Sequence, residues 1–135
     1  MESTEKLEKR FFEFNPLTCN RFIVSLPEKL DINEFYIKGF NVNTHSYTIS
    51  VEVIETVEKN IRDSYYNYED TNALIKGGDI VIEYLNERGS VVRKEKYSDV
   101  SYLGQEYGGG NYDSFEAIKT SLVFRYGRRE NVATN

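Results

Sequence analysis

The sequence predicts a mainly β fold, an antiparallel sandwich or barrel with one short helix and an N-terminal arm. Two segments with side-chain period two carry this prediction, together with the scarcity of helical pattern between them. In residues 118–126, Ile118, Thr120, Leu122, Phe124 and Tyr126 fall on one face and Lys119, Ser121, Val123 and Arg125 on the other. In residues 79–85, Ile80, Ile82 and Tyr84 share a face, and residues 91–97 return after the turn Glu87-Arg88-Gly89-Ser90. Gly89 supplies the positive φ that a short hairpin loop needs. Strands that follow strands with little helix form antiparallel sandwiches or barrels.

The remaining elements follow in order. Residues 1–10 interleave Glu and Lys, and Ser3 or Thr4 can cap a short helix there. Phe11, Phe12 and Phe14 come next, before Pro16. Each ring left in water forgoes about 1.5–3 kcal/mol of burial. They tuck onto the domain itself, or they form an arm that docks on a neighbouring subunit. On the second reading, a chain trimmed to start at Cys19 folds but assembles poorly. Residues 20–26 (NRFIVSL) form a strand stopped by Pro27, and residues 30–33 a turn. Residues 35–42 form a second strand with a bulge at Gly39. Residues 46–56 form a third, with Ile49, Val51 and Val53 on one face and Ser50, Glu52, Ile54 and Thr56 on the other. Residues 57–76 read as one or two helical turns and a polar loop. Residues 65–76 and 102–114, rich in Tyr, Asn, Asp and Gly, are expected to be long connections that become ordered on assembly. The domain organisation is an arm over 1–18, a β domain over 19–127 and a tail over 128–135.

Composition narrows the function. At 135 residues, 39% of them hydrophobic, the chain buries a core without disulfides. Net charge is −5 with a pI near 5.0, against a general nucleic-acid binder. Arg125, Arg128 and Arg129 cluster near the C-terminus, either as a local basic patch or, the blander reading, as a solvated tail. Cys19 is the single cysteine, so no intramolecular disulfide forms, and it reads as a buried, inert thiol. No apolar run approaches the ~20 residues that span a bilayer, and residues 1–20 lack the apolar stretch of a signal peptide. These features fit a cytoplasmic setting.

The search for chemistry finds little. His45, the single histidine, lies in a polar turn with no metal-ligand spacing around it. Gly108-Gly109-Gly110 runs into Asn111-Tyr112-Asp113 and a strand, without the Gly-Lys-Ser/Thr and helix of a phosphate loop. Asp70-Thr71-Asn72 opens like a calcium loop, but Leu74 stands at its fifth place. No carboxylate pair is singled out. No enzyme, cofactor or metal is expected.

Several motifs together resemble the bacteriophage tail-tube family, which includes the tube and baseplate-tube proteins of contractile tails and related injection systems. They are Asn20-Arg21-Phe22-Ile23-Val24 at the first strand, residues 82–92 (IEYLNERGSVV) at the hairpin, and Phe124-Arg125-Tyr126 at the last strand. The resemblance covers residues 20–126. Relatives often carry a Trp that this chain lacks, and the arm and triple glycine have no counterpart. The resemblance implies a structural virion protein: six-fold rings, stacked into a tube, around a channel through which DNA passes as non-specific cargo. It implies contacts with other tail or baseplate proteins, no membrane insertion, and a place in the virion tail after assembly in the host cytoplasm. Phe11, Phe12, Phe14, Tyr65, Tyr66, Tyr68, Tyr107 and Tyr112 are the expected interface residues. The alternative is a monomeric β-barrel module that binds a small ligand or a peptide.

Overall fold

The structure is a computed structural model, and it describes residues 16–134. Eight strands form two four-stranded antiparallel sheets. The strands are β1 (Phe22–Ser25), β2 (Ile37–Asn43), β3 (Thr48–Ile54), β4 (Ile80–Leu85), β5 (Val91–Ser98), β6 (Ser101–Tyr107), β7 (Lys119–Arg125) and β8 (Arg128–Val132). The first sheet has the order β1-β4-β5-β8 and the second β2-β3-β7-β6. Two short helices, α1 (Ile61–Ser64) and α2 (Tyr68–Ile75), lie between β3 and β4, and two single 3-10 turns, Glu28–Leu30 and Glu34–Tyr36, lie between β1 and β2.

The period-two residues make the core. Ile49, Val51, Val53, Ile80, Ile82, Leu122 and Phe124 are all fully buried. In the second sheet the inward rows run across strands, with Ile49 opposite Phe124 and Val51 opposite Leu122. The expected hairpin is present. Gly89 has φ +83°, and Asn86 Oδ1 accepts from Arg88 N and Ser90 N, both at 2.9 Å. The bulge expected at Gly39 appears as a register shift between Ile37 and Gly39.

Four expectations are corrected. Residues 102–107 are strand β6 rather than loop, with Tyr102 buried beside Phe124 (centroids 5.7 Å apart). The glycine content of residues 102–114 imitates a loop, but Gly104 sits at a bulge between strand partners. Residues 65–76 are largely helical rather than an open connection, because Asn60 and Asn67 cap α1 and α2 through their side chains. Residues 128–132 pair with β5 as strand β8, although most of their side chains remain exposed. Cys19 is exposed rather than buried.

Candidate assembly surfaces

The most exposed feature is the connection between β6 and β7, an arm over residues 108–118. Its tip is pre-shaped by local polar contacts. Asn111 Oδ1 accepts from Asp113 N (2.9 Å), Ser114 N donates to Asn111 O (3.1 Å), and Ser114 Oγ accepts from Glu116 N (3.2 Å). Tyr112 and Phe115 are fully exposed on it, at 107% and 106% of their reference areas.

The arm's base is fastened. Gly108 N donates to Lys119 O (3.0 Å), and a Cβ at Gly108 would fall 2.9 Å from that same oxygen, so the close approach requires glycine. Arg62, on α1, spans the two ends of the arm. Its Nε donates to Thr120 Oγ1 (2.7 Å), and Nη2 donates to Gly108 O (3.0 Å) and Lys119 O (3.3 Å). The guanidinium also lies 4.3 Å from the Tyr107 ring centroid, a cation–π contact. Glu55 holds the other side of this network. Its carboxylate accepts from Ile61 N (3.1 Å), Arg62 N (3.2 Å) and Thr120 Oγ1 (2.8 Å). An anion at the first backbone amides of α1 stabilises that end of the helix. One hydrogen-bonded network thus ties the helical connection to the arm.

The second sheet offers two open edges, β2 and β6, and a polar outer face. Ser50, Glu52, Ser121 and Val123 are half-buried there, and Asn41, Asn43 and Arg125 are exposed. Lys119 Nζ and Glu52 Oε1 lie 3.9 Å apart across it. Part of the β6 edge is covered. Asn72 Oδ1 accepts from Tyr102 N (2.8 Å) and Asn72 Nδ2 donates to Tyr102 O (3.4 Å), as a neighbouring strand would. This cover ends before Glu106 and Tyr107, which are exposed. At the opposite edge a groove of about 380 Å³ opens between β1 and β2. Leu17, Cys19, Phe22, Lys38, Phe40 and Tyr84 line it.

Between the sheets lies the least exposed ion pair of the described residues. Glu95, 7% exposed, pairs with Arg129 on β8 and accepts from the hydroxyls of Tyr84 (2.8 Å) and Tyr97 (3.3 Å). Burial first, and then the hydrogen bond to Glu95, pushes the Tyr84 phenol well above its ordinary value. Burial is also the main cause that raises Tyr97, while the hydrogen bonds that Arg129 donates to Tyr97 and Glu95 raise Arg129. Each of these four side chains has a protein partner, which fits a structural tie that holds β8 to β5.

The expected interface residues separate into three groups. Phe11, Phe12 and Phe14 lie outside the described residues. Tyr65 is a core residue, 2% exposed, with its hydroxyl donating to Leu30 O, so it is removed from the interface set. The correction follows from the helix: Tyr65 stands four residues after buried Ile61, on the same inward face. Tyr66, Tyr68, Tyr107 and Tyr112 are exposed, although Tyr68 stacks on Tyr102 (centroids 6.4 Å) and Tyr107 covers Arg62. Sequence reasoning missed Phe115, Arg62 and Glu55. Phe115 stood in the same glycine-rich stretch as Tyr112 and carried the same signal, whereas the partnership of Arg62 with Thr120 joins residues too far apart in sequence to be read. His45 is exposed, and among the described residues no group of three or more His, Cys, Asp or Glu side chains forms a metal cage.

The sequence matches no protein-family profile and no curated protein. The fold does have solved counterparts. A chain of the sheath–tube complex of an extracellular contractile injection system (PVC) superposes with a TM-score of 0.62 at 14% identity, over 99% of this chain and 100% of that one. A chain from the sheath/tube terminator of the same kind of system gives 0.62 at 13% identity, over 87% and 97%. A chain from the tube-terminating cap of the anti-feeding prophage gives 0.56 at 18% identity, over 88% and 92%. The fold is therefore one that also occurs among components of contractile injection systems.

Proposed function

We propose that this protein is a structural subunit of a contractile-type tail, part of its tube or of a ring where the tube meets the baseplate or terminates. The observation that carries this reading is the end-to-end similarity to a chain of a sheath–tube complex, with 99% of one chain and 100% of the other covered. The geometry of the second sheet supports it. Its strands alternate in direction across β2-β3-β7-β6. A neighbour's β2 beside β6 therefore continues the antiparallel order, and a head-to-tail contact of this kind closes into a ring that hides its sheet edges. In a six-fold ring the polar outer faces of these sheets line a wet channel and the first sheets lie outside. A net charge of −5 per subunit keeps a polyanion such as DNA from adhering to the wall as it passes as non-specific cargo.

Sedimentation velocity of the full chain over a concentration series tests this reading. A ring-former shifts cooperatively from the 15.7 kDa species to one discrete multi-subunit species. A single species of monomer size at every concentration contradicts it and favours a monomeric ligand- or peptide-binding module instead.

A further inference from the structure

The arm and the groove stand at opposite edges of the same sheet. The arm follows β6, the groove borders β2, and these are the two outer strands of the order β2-β3-β7-β6. They also stand at the same level along the strands. Ile37 on β2 is opposite Val53 on β3, Val53 is opposite Thr120 on β7, and Thr120 is opposite Tyr107 on β6. The arm starts one residue after Tyr107, and the groove residues Lys38, Gly39 and Phe40 start one residue after Ile37.

The two features are complementary. The arm carries Asp113 and Glu116 and no cation, and it exposes Tyr112 and Phe115 completely. Among the described residues Lys38 is the one charged side chain that lines the groove, and the aromatic wall is Phe22, Phe40 and Tyr84. Phe40 meets Phe22 edge-on at 4.9 Å and Tyr84 at 6.1 Å, so the wall presents ring faces and edges to an incoming aromatic side chain. An apolar cavity of about 150 Å³ takes up a benzene ring, so a groove of about 380 Å³ has room for more than one ring. The arm's turn at Asn111 and its fastening by Arg62 reduce the ordering cost of docking.

From this placement we infer that the 108–118 arm of one copy seats Phe115 and Tyr112 in the groove between β1 and β2 of the next copy, with Asp113 and Glu116 toward Lys38. The inference rests on the ring reading above and gives it a specific fastener. Each copy gives one arm and receives one, which is the bookkeeping of a closed ring.

Cys19, the chain's single cysteine, lines the groove and provides the test. Full-length Phe115→Cys is oxidised mildly at a concentration where the native chain assembles, and run on a non-reducing gel. Ser114→Cys, which keeps the Phe115 ring, is run beside it. Arm-in-groove docking joins each engineered thiol to Cys19 of the next copy, so a ladder of trimers and larger species is expected from both variants. With Cys19→Ser added, the ladder must collapse to dimers at most. Phe115→Asp, with no new thiol, is expected to raise the concentration needed for assembly at least tenfold.

Rings in micrographs of both thiol variants, with no covalent species above dimer, overturn the docking and leave the ring reading standing. A native chain that stays monomeric, and variants without a ladder, overturn both.

Discussion

Residues 55–76 and residues 108–118 make an instructive pair. Both are polar connections between strands, both expose tyrosine, and both contain Asn-led turns, although the first holds three Tyr and three Asn and the second one of each. The first folds into two helices and buries Ile61, Tyr65, Thr71 and Ile75. The second projects from the sandwich with every residue from 108 to 118 exposed. The difference lies in spacing. In the first, inward residues recur four apart and each helix has an Asn cap, so a short helix can pay its nucleation cost by packing. In the second, three glycines precede the turn and Tyr112 and Phe115 have no inward partners at helical spacing. Tyrosine content alone therefore says nothing about placement, because the same side chain is a core element at 65 and an exposed one at 112.

The contrast can be broken most sharply at those two positions. Tyr65→Ala removes a buried ring and is expected to cost about 3–5 kcal/mol of stability in denaturant unfolding. Tyr112→Ala is expected to stay within about 0.5 kcal/mol of the native chain. Equal losses would mean that the arm packs on its own domain. Next in size is Arg62→Ala, which removes the charged hydrogen bonds that tie the two connections together. About 2–3 kcal/mol is expected to be lost, with faster protease cleavage within residues 108–118 than the stability change alone explains. Cleavage that only tracks global stability would show that the arm does not depend on Arg62 for its order.

A smaller effect separates the two Asn-led turns. Asn67→Ala removes the cap of α2 and is expected to cost about 1 kcal/mol. Asn111→Ala, at the exposed arm tip, is expected to leave thermal unfolding unchanged. The smallest effect concerns Tyr102, which packs against the helical connection and donates to Tyr65 O (3.0 Å). Burial raises its phenol above the ordinary value of about 10, as it does for Tyr84 and Tyr97. Above about pH 10 the unfolded chain releases these protons while the folded chain still holds them. Stability is therefore full below about pH 10 and falls as pH rises beyond it. Tyr102→Phe is expected to make that fall shallower, and an unchanged slope would show that this phenol ionises alike in both states.

These contrasts also mark what could be read from the sequence. Strands β3, β4, β5 and β7 and the hairpin at Gly89 were legible, because period two and a turn glycine are local signals. Strand β6 was not, because its bulge at Gly104 breaks the alternation and the neighbouring glycines imitate a loop. Strand β8 was hidden in a run of charged residues whose side chains stay exposed even though the backbone pairs. Of the candidate surface, Tyr112 was legible as an unplaced aromatic. The Arg62–Glu55–Thr120 tie was not, since it depends on bringing residue 120 beside residue 62. The groove between β1 and β2 needed the packing of Phe22 against Phe40 and Tyr84, which no local pattern states.

The central claim is that the second sheet closes with its copies around a channel. Electron cryo-microscopy of the concentrated full-length protein tests it most directly. The account predicts closed rings or stacked tubes in which β2 of one subunit lies beside β6 of the next and Ser50, Glu52 and Ser121 face the lumen. Dispersed single domains, or rings in which the first sheet lines the channel, would contradict it.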